Sequence, residues 1–220
     1  MDGEAVSPGD LAACLADLAR VNTVTLARLP TLAFVRRAVR HAGPRFRPLR
    51  VLDVGCGEGD MLRRLHRWAA RTGHDLALSG IDLNPLGIRA ARAATPRSTG
   101  IEFRVADAFG PGLDGFDVVI SSLFTHHLTD GGVVDFLRMM EGSAAVGWFI
   151  NDLHRDRLAF HGFQTLSAVA GWHRFVRHDG PISVARSFRR ADWNRLLASA
   201  GVPGQVRWHV PYRFCVSRFK

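Results

Sequence analysis

Two short segments of the chain contain side chains that can accept a proton. They are Thr125-His126-His127-Leu128 and Asn151-Asp152-Leu153-His154. Imidazole and carboxylate groups act as general bases when they lie within hydrogen-bond reach of the proton they remove. A phenol, whose pKa is about 10, is a poor nucleophile at neutral pH until such a base ionises it. The candidate catalytic residues are therefore His126, His127, Asp152 and His154.

Each of these side chains also has a purely structural interpretation. The two adjacent histidines could pack inside a loop or cap a helix, and Asp152 could cap the helix that follows it. His, Asp and His side chains could in principle bind a divalent metal, but the ligand spacing typical of such sites is missing. We therefore predict no metal site.

A glycine-rich turn precedes these segments in the chain. The run Val51-Leu52-Asp53-Val54-Gly55-Cys56-Gly57-Glu58-Gly59 is an apolar strand that enters a turn with three glycines at alternate positions. Glycine allows positive φ angles and lets a ligand approach the main chain closely. A helix predicted from Asp60 presents its free N–H groups at the same place, which favours the anionic part of a nucleotide-like molecule.

Acidic residues end the next two predicted strands. Ile81-Asp82-Leu83 follows the glycine turn by about 25 residues, where an acidic side chain can accept hydrogen bonds from ribose hydroxyls. Val105-Ala106-Asp107-Ala108 ends the third strand, and Phe116 to Leu123 supplies the fourth strand with its exit loop. Ligands of such sheets lie beyond the carboxyl ends of the strands. These four segments together predict one ligand site.

In these segments the sequence resembles the class I S-adenosylmethionine-dependent methyltransferases, most closely over residues 50–151. The Asp-Val-Gly-Cys-Gly-x-Gly form differs from the Gly-x-Gly-x-x-Gly pattern of dinucleotide-binding dehydrogenases. The resemblance implies that Asp53, Gly55 and Gly57 face the methionine part of S-adenosylmethionine. It also implies that Asp82 faces the ribose and that Asp107 and Ala108 face the adenine. The expected cofactor-binding set is completed by Cys56, Leu83 and Ser122.

The exit loop of the fourth strand and the flanking regions bear on the methyl acceptor. Ser121-Ser122-Leu123-Phe124 stands where methyltransferases of exocyclic base amines usually carry Asn-Pro-Pro-aromatic, so a DNA base is a poor candidate. The flanking regions 10–41 and 155–190 are rich in Phe, Leu, Trp and His, which suits a hydrophobic ring system. The overall pattern resembles small bacterial methyltransferases of phenolic, quinone or polyketide metabolites. We expect methylation of oxygen, with carbon as the second choice.

The order of predicted elements gives the fold class. Short apolar runs alternate with helical segments from Arg50 to Ile150, which predicts a parallel sheet wrapped by helices. Beyond it, we predict a helix over Arg157–Ala170, an irregular stretch to Ser187, a helix over Ala191–Ala200 and two closing strands. The resemblance implies a Rossmann-like α/β sheet of seven strands, mostly parallel, with an antiparallel last strand. The expected divisions are an N-terminal helical cap (1–48) and a methyltransferase domain (49–220) with a cap insertion at about 155–190.

Composition limits the partners and the environment. Of the net charge of +9, +8 belongs to residues 151–220, but 28 of the 29 basic residues are arginine, which favours coding bias over phosphate binding. Nucleic acid is therefore an unlikely partner, and an acidic carrier protein stays possible. The three cysteines are an odd number without metal-ligand spacing, and no apolar run approaches the roughly 20 residues of a membrane span. We expect a cytoplasmic protein, and the sequence does not predict its oligomeric state.

Overall fold

The computed structural model describes residues 26–43, 48–172 and 174–220. Within them, seven helices surround one seven-stranded sheet. The strands are β1 (Leu49–Val54), β2 (Leu76–Asp82), β3 (Glu102–Val105), β4 (Phe116–Ser122), β5 (Ala144–Leu153), β6 (Gln205–His209) and β7 (Arg213–Phe219). The helices are α1 (Leu29–Ala42), α2 (Asp60–Thr72), α3 (Pro85–Ala93), α4 (Asp130–Ser143), α5 (Arg157–Val169), α6 (Arg174–Arg186) and α7 (Arg190–Ala200).

The sheet has the strand order β3-β2-β1-β4-β5-β7-β6. Strands β1 to β5 are parallel, whereas β7 runs antiparallel to both β5 and β6. This confirms the expected Rossmann-like α/β architecture, including the antiparallel last strand. All five parallel strands therefore end at the same edge of the sheet, and the strand order reverses between β1 and β4, where ligands of such sheets bind.

Alternation along the strands separates two hydrophobic cores, one on each face of the sheet. Leu52 and Val54 of β1 point into the core that α4 and α7 cover, whereas Val51 points into the core under α1, α2 and α3. Because both faces are covered, the central strands β1, β4 and β5 are almost entirely buried, and their middle residues are mainly apolar. A small third cluster joins α5 to α6 through Phe163, Trp172 and Val176.

The expected irregular stretch before Ser187 is wrong, because residues 174–186 form helix α6. The sequence His178-Asp179-Gly180-Pro181 has the composition of a turn, yet the helix continues through Pro181. Gly180 explains the close packing of this helix on α5, because a Cβ there would lie 2.0 Å from Cε1 of Phe163. Contacts between helices have overridden the local preference of the sequence.

Two sequence predictions concern the regions outside the sheet. Helix α1 agrees with the second half of the helical pattern predicted for residues 10–41, but residues 1–25 and 44–47 lie outside the described residues. Helices α5 and α6 occupy the region of the expected cap insertion. The division into a cap and a methyltransferase domain stays a prediction. Among the described residues, no helix is long and apolar enough to cross a membrane.

Candidate active site

The turn after β1 holds its backbone in conformations that favour glycine. Gly55, Gly57 and Gly59 have φ angles of 72°, 52° and 72°. The N–H groups of Gly55 and Cys56 both donate to the carbonyl oxygen of Ile81, at 2.9 and 3.0 Å, which fixes the turn against the end of β2. A Cβ placed on Gly57 would meet no atom within 4 Å. The main chain at Gly57 is therefore open to a ligand.

Asp82 shapes this turn from the neighbouring strand. One carboxylate oxygen accepts the N–H of Gly57 at 2.9 Å, and the other accepts the N–H of Asn84 at 2.8 Å. The second contact orients the start of α3, where the Asn84 side chain caps the helix by accepting the N–H of Leu86. Asp82 thus connects the glycine turn to the end of β2, and each of its oxygens keeps a further lone pair for a ligand hydroxyl.

A cavity of about 580 Å³ lies at the carboxyl ends of the strands. The glycine turn and the exit of β4 form one side, and α5 and α6 form the other. Its acidic side chains are Asp53, Glu58 and Asp60. Its apolar lining includes Met61, Leu123, Leu153, Leu158, Phe163, Leu166, Val184 and Pro211. The site therefore combines an end lined by acidic residues with an apolar chamber large enough for a small organic molecule.

Burial raises the pKa values of two carboxyl groups at the acidic end of the cavity, Asp53 and Glu58. Burial raises the pKa of Asp53 to about 8, and the charges of Asp82 and Asp60 add to this effect. Burial also raises the pKa of Glu58, partly offset by the charge of Arg63. A carboxyl group in this state gains most from a positively charged ligand, which would restore its ionised form.

A histidine and an aspartate form a buried pair at the cavity wall. Nδ1 of His126 lies 2.7 Å from Oδ1 of Asp152, and the backbone N–H of His126 donates to Oδ2 at 3.0 Å. The hydroxyl of Thr125 donates to the same Oδ2, and the N–H of Leu153 donates to Oδ1 at 2.8 Å. Asp152 is fully buried, whereas His126 borders the cavity.

These contacts determine the charge of Asp152 and the tautomer of the imidazole. Burial alone would raise the pKa of the Asp152 carboxyl, but the charge of His126 lowers it. Hydrogen bonds from His126, Thr125 and Leu153 lower it further, so the pKa falls below its usual value. An ionised carboxylate only accepts hydrogen bonds, so Nδ1 of His126 carries the hydrogen. The lone pair of the neutral ring is then on Nε2, which is the atom that can accept a proton from a ligand.

The structure separates the four candidate catalytic residues into different environments. His126 and His127 both border the cavity, with ring centroids 4.2 Å apart. Asp152 lies beneath His126 and is not part of the cavity lining, so it can orient the ring but not touch a ligand there. It does not cap the next helix, because Asp156 does so. His154 packs edge-on against Phe214, 4.6 Å between centroids, and also lies outside the lining.

The expected cofactor-binding residues fall into two groups. Asp53, Gly55, Cys56, Gly57 and Ser122 line the cavity. Asp82, Leu83, Asp107 and Ala108 lie outside its lining, at the ends of β2 and β3 on the other side of the glycine turn.

Within the second group the exposure differs. Leu83 is 63% exposed and Ala108 is buried. The Asp107 carboxylate accepts the N–H of Phe109 at 3.0 Å in a turn, and no helix begins there. The two groups together follow the strand ends from β4 to β3.

The residues just before α1 border the cavity through contacts that the sequence did not predict, although it assigned the flanking region 10–41 to the acceptor pocket. The side-chain amide of Asn151, at the end of β5, donates to the carbonyl oxygen of Ala27 at 2.6 Å and to Oγ1 of Thr31 at 3.2 Å. Thr31 also contacts Oγ of Ser122 at 3.2 Å. These bonds hold Ala27 and Arg28 at the cavity. The helical pattern of this segment indicated burial but not which strand ends it would meet.

Arg213 is the second feature that the sequence did not reveal. It is the first residue of β7, pairs with Leu153 of β5, borders the cavity and is 2% exposed. Among the described residues, it is the one Lys or Arg side chain that is buried. Arginine accounts for 28 residues of the chain, so residue type alone gave no signal for this one. Arg213 differs from the other arginines in its position at the start of β7, the antiparallel strand beside β5.

Comparisons with known proteins agree with this architecture. A family model described as a methyltransferase domain matches residues 51–144. No curated protein matches the sequence. A structure of LepI in complex with SAM has a TM-score of 0.57 and 21% identity, covering 81% of this chain and 44% of that one. The chain therefore spans less than half of the LepI chain.

Two further solved structures are similar over most of the chain. Magnesium protoporphyrin IX methyltransferase from Synechocystis PCC 6803, with bound SAH, has a TM-score of 0.60 and 16% identity, covering 89% of this chain and 84% of that one. The plantazolicin methyltransferase BpumL, in complex with SAH, has a TM-score of 0.61 and 17% identity, covering 82% and 66%. At these identities the likeness shows the fold alone.

Proposed function

We propose that the protein methylates an aromatic or polyketide-type small molecule with S-adenosylmethionine, which the match of residues 51–144 to a methyltransferase-domain model supports. The acceptor atom is an oxygen, with a carbon as the second choice. The observation that carries the proposal is the His126–Asp152 pair at the wall of an apolar cavity. Relatives of similar fold include a methyltransferase named for plantazolicin, which supports a role in natural-product biosynthesis.

The residues at the acidic end fit the cofactor. S-adenosylmethionine supplies a methyl group on a positively charged sulfonium and also carries an ammonium group. Asp53, whose pKa is raised by burial, lies in the cavity where such a cation relieves the strain. The open main chain at Gly57 accommodates close approach, and Asp82 keeps lone pairs for ribose hydroxyls.

His126 supplies the proton transfer that an oxygen acceptor needs. Asp152 fixes the ring with Nδ1 protonated, so Nε2 accepts the proton of a hydroxyl held in the cavity. Removing a phenol proton in this way is worth roughly 100- to 10,000-fold in rate. The apolar lining from α5 and α6 holds the ring of the acceptor and excludes water from the reacting atoms.

The test is a transfer assay with isotopically labelled S-adenosylmethionine and a panel of phenols, hydroxyquinones and aromatic polyketides. We expect label in at least one acceptor and one equivalent of S-adenosylhomocysteine per methyl transferred. Binding of the cofactor without transfer to any acceptor would favour a binding protein that has kept the fold. Absence of cofactor binding by calorimetry would reject the proposal altogether.

The glycine turn offers a matched pair of variants for the cofactor site. Gly57 and Gly73 both have positive φ angles, 52° and 68°, and a Cβ on either meets no atom within 4 Å. Alanine therefore strains both turns to a similar extent, but only Gly57 borders the cavity. We expect Gly57→Ala to weaken S-adenosylhomocysteine binding about tenfold or more, and Gly73→Ala to leave it unchanged. Equal effects of the two variants would contradict this placement.

A carrier-bound or macromolecular acceptor is the second candidate. It is favoured by a basic hollow of about 370 Å³ on the outside of α5 and α6, lined by Gln164, Ser167, Arg174, Arg177 and His178. An acidic partner docked there would make kcat/KM fall steeply between about 50 and 200 mM salt, because counterions compete with each charge contact. A free aromatic acceptor predicts little salt dependence.

We further propose that the protein works in the cytoplasm. Cys56 and Cys215 are free thiols in the structure, and the cytoplasm would keep them reduced.

A further inference from the structure

Helix α5 contains a glycine near its middle, where glycine is unfavourable. Gly162 is the sixth of the 13 residues of this helix. Glycine loses more backbone freedom on folding than any other residue, so in a helix interior it is destabilising relative to alanine. A glycine at such a position is therefore expected to have a reason in its backbone conformation, in its packing or in its function.

Neither the backbone conformation nor the packing of Gly162 requires glycine. Its φ angle does not lie in the left-handed region, in contrast to those of Gly55 and Gly57. A Cβ built on Gly162 would meet no atom within 4 Å, whereas a Cβ on Gly180 would lie 2.0 Å from the Phe163 ring. The contact between α5 and α6 thus explains Gly180 but not Gly162. Alanine or a larger residue would fit at position 162 without strain.

The side of α5 on which Gly162 lies borders the cavity. Leu158, Ala159, Gly162, Phe163 and Leu166 all belong to the cavity lining. Gly162 follows Leu158 by four residues and precedes Leu166 by four, so these three positions lie one above another on the same face of the helix. The main chain at Gly162 is exposed between the two leucines. It therefore forms a notch in the cavity wall, and a side chain there would project into the cavity.

The cavity is larger than a single aromatic ring requires. Its volume is about 580 Å³, whereas a cavity of about 150 Å³ is enough to hold benzene. In the proposed function the methionine part of the cofactor occupies the acidic end, and His126 marks the position of the acceptor hydroxyl. A one-ring phenol held at Nε2 of His126 would leave apolar surface around the notch in contact with water. Further rings would cover that surface, and the hydrophobic effect would favour their binding.

We propose that Gly162 is a specificity-determining residue, and that the notch it leaves in α5 receives the distal ring of an acceptor with two or three fused aromatic rings. This inference rests on the proposed function, which supplies the cofactor, the hydroxyl and the base, and it adds the size and shape of the acceptor. Glycine destabilises the helix but keeps the chamber open, and such a conflict between stability and binding is common at functional sites.

The test compares two glycines that differ in their relation to the cavity. Gly162 and Gly142 are both exposed helical residues, and a Cβ on either meets no atom within 4 Å, but of the two only Gly162 borders the cavity. Calorimetry with saturating S-adenosylhomocysteine measures the binding of phenol, naphthol and hydroxyanthraquinone, which have one, two and three rings. For the wild type we expect the affinity to rise about tenfold or more from phenol to hydroxyanthraquinone. Gly162→Leu should weaken the binding of hydroxyanthraquinone about tenfold or more and that of phenol less than about twofold. Gly142→Leu should change neither.

Thermal unfolding gives an independent readout. Gly162→Ala should raise the melting temperature by about 1–3 °C, as should Gly142→Ala, because each variant replaces a helical glycine by a better helix former. A lower melting temperature in Gly162→Ala would show that packing requires the glycine, and it would overturn the inference. If Gly162→Leu does not fold, Gly162→Ala is the second variant and should weaken the binding of hydroxyanthraquinone about twofold or more.

The remaining outcomes separate this inference from the proposed function. Equal affinity of the wild type for phenol and hydroxyanthraquinone, equal losses of the two in Gly162→Leu, or no binding of any probe overturns the inference. Methyl transfer to phenol with no preference for further rings retains the proposed function and rejects the inference. Binding that strengthens with ring number and is lost in Gly162→Leu, in a protein that transfers no methyl group, retains the inference and rejects the proposed function.

Discussion

A fully buried carboxylate beneath an imidazole determines which nitrogen of that ring can act. Asp152 accepts from Nδ1 of His126, from its backbone N–H and from the hydroxyl of Thr125. The orientation of His126 is therefore set by its two hydrogen bonds to Asp152, while the Thr125 hydroxyl fixes the carboxylate. The sequence placed both residues at strand exits that face the same edge, but residue types alone could not decide which one would border the cavity.

Removing either member of this pair should slow methyl transfer. We expect His126→Gln and Asp152→Asn to lower kcat about tenfold or more, because the first lacks the base and the second no longer fixes its tautomer. Affinity for S-adenosylhomocysteine should stay within about twofold, because neither side chain belongs to the glycine turn. Steady-state kinetics and calorimetry give the two quantities. The control is His74→Gln, because His74 precedes β2 at the other edge of the sheet. Wild-type turnover in both site variants would eliminate His126 as the base.

The raised pKa of Asp53 predicts a proton linked to cofactor binding. With a pKa of about 8, Asp53 is mostly protonated at pH 7. A cationic ligand favours the carboxylate, so binding should release close to one proton at about pH 7 and fewer as the pH rises past 8. Calorimetry with S-adenosylmethionine in buffers of different ionisation enthalpy measures this number. Asp53→Asn should abolish the release, and proton uptake by the wild type would show that the sign is wrong.

At the scale of elements, the parallel strands, their helices and helix α5 were predictable from the sequence, whereas helix α6 was not. Short apolar runs bounded by glycine and polar residues located β1, β2, β4 and β5 closely, because central strands of a covered sheet are rich in apolar residues. Helix α6 was missed, because the residues that stabilise it belong to α5 and to Trp172 rather than to its own periodicity. The flanking region 10–41 was expected at the acceptor pocket, but the side-chain bonds from β5 that hold its described part in place could not be predicted from its own sequence.

The close approach of α5 and α6 gives a prediction for the cap. A Cβ at Gly180 would lie 2.0 Å from Cε1 and 2.6 Å from Cζ of Phe163, so Gly180→Ala must displace the Phe163 ring, which lines the cavity, or move the two helices apart. We expect a higher KM for the acceptor, with the affinity for S-adenosylhomocysteine unchanged, because the glycine turn is not part of this contact. Gly142→Ala, in α4 where a Cβ meets nothing within 4 Å, should instead stabilise the protein slightly. An unchanged KM in Gly180→Ala would show that the cap does not shape the acceptor chamber.

At the scale of the whole molecule, Glu141 connects the helix layer to two strands. Oε2 accepts the indole N–H of Trp148 at 2.7 Å, and Oε1 pairs with Arg218 at 2.8 Å and with Lys220 at 3.6 Å. Trp148 is fully buried in the core between α4 and α7. Glu141 therefore links α4 with β5 and with the end of β7, far from the cavity.

We expect Glu141→Ala to lower the free energy of unfolding by about 1–3 kcal/mol, because it leaves the buried indole N–H without an acceptor. Glu141→Gln keeps an acceptor for that N–H and should lose less. Urea unfolding measures both, and kcat should be unchanged in each folded variant. A drop in kcat would mean that the contacts of Glu141 affect the active-site cavity at the other edge of the sheet, which the structure does not indicate.

The position of β7 has a consequence for biosynthesis. The ribosome makes this strand last among the seven, yet it is inserted between β5 and β6. While its residues are still in the exit tunnel, the nascent chain can form β1 to β5 but leaves one edge of β5 unpaired. The seven-stranded sheet is therefore completed only after β7 has left the ribosome.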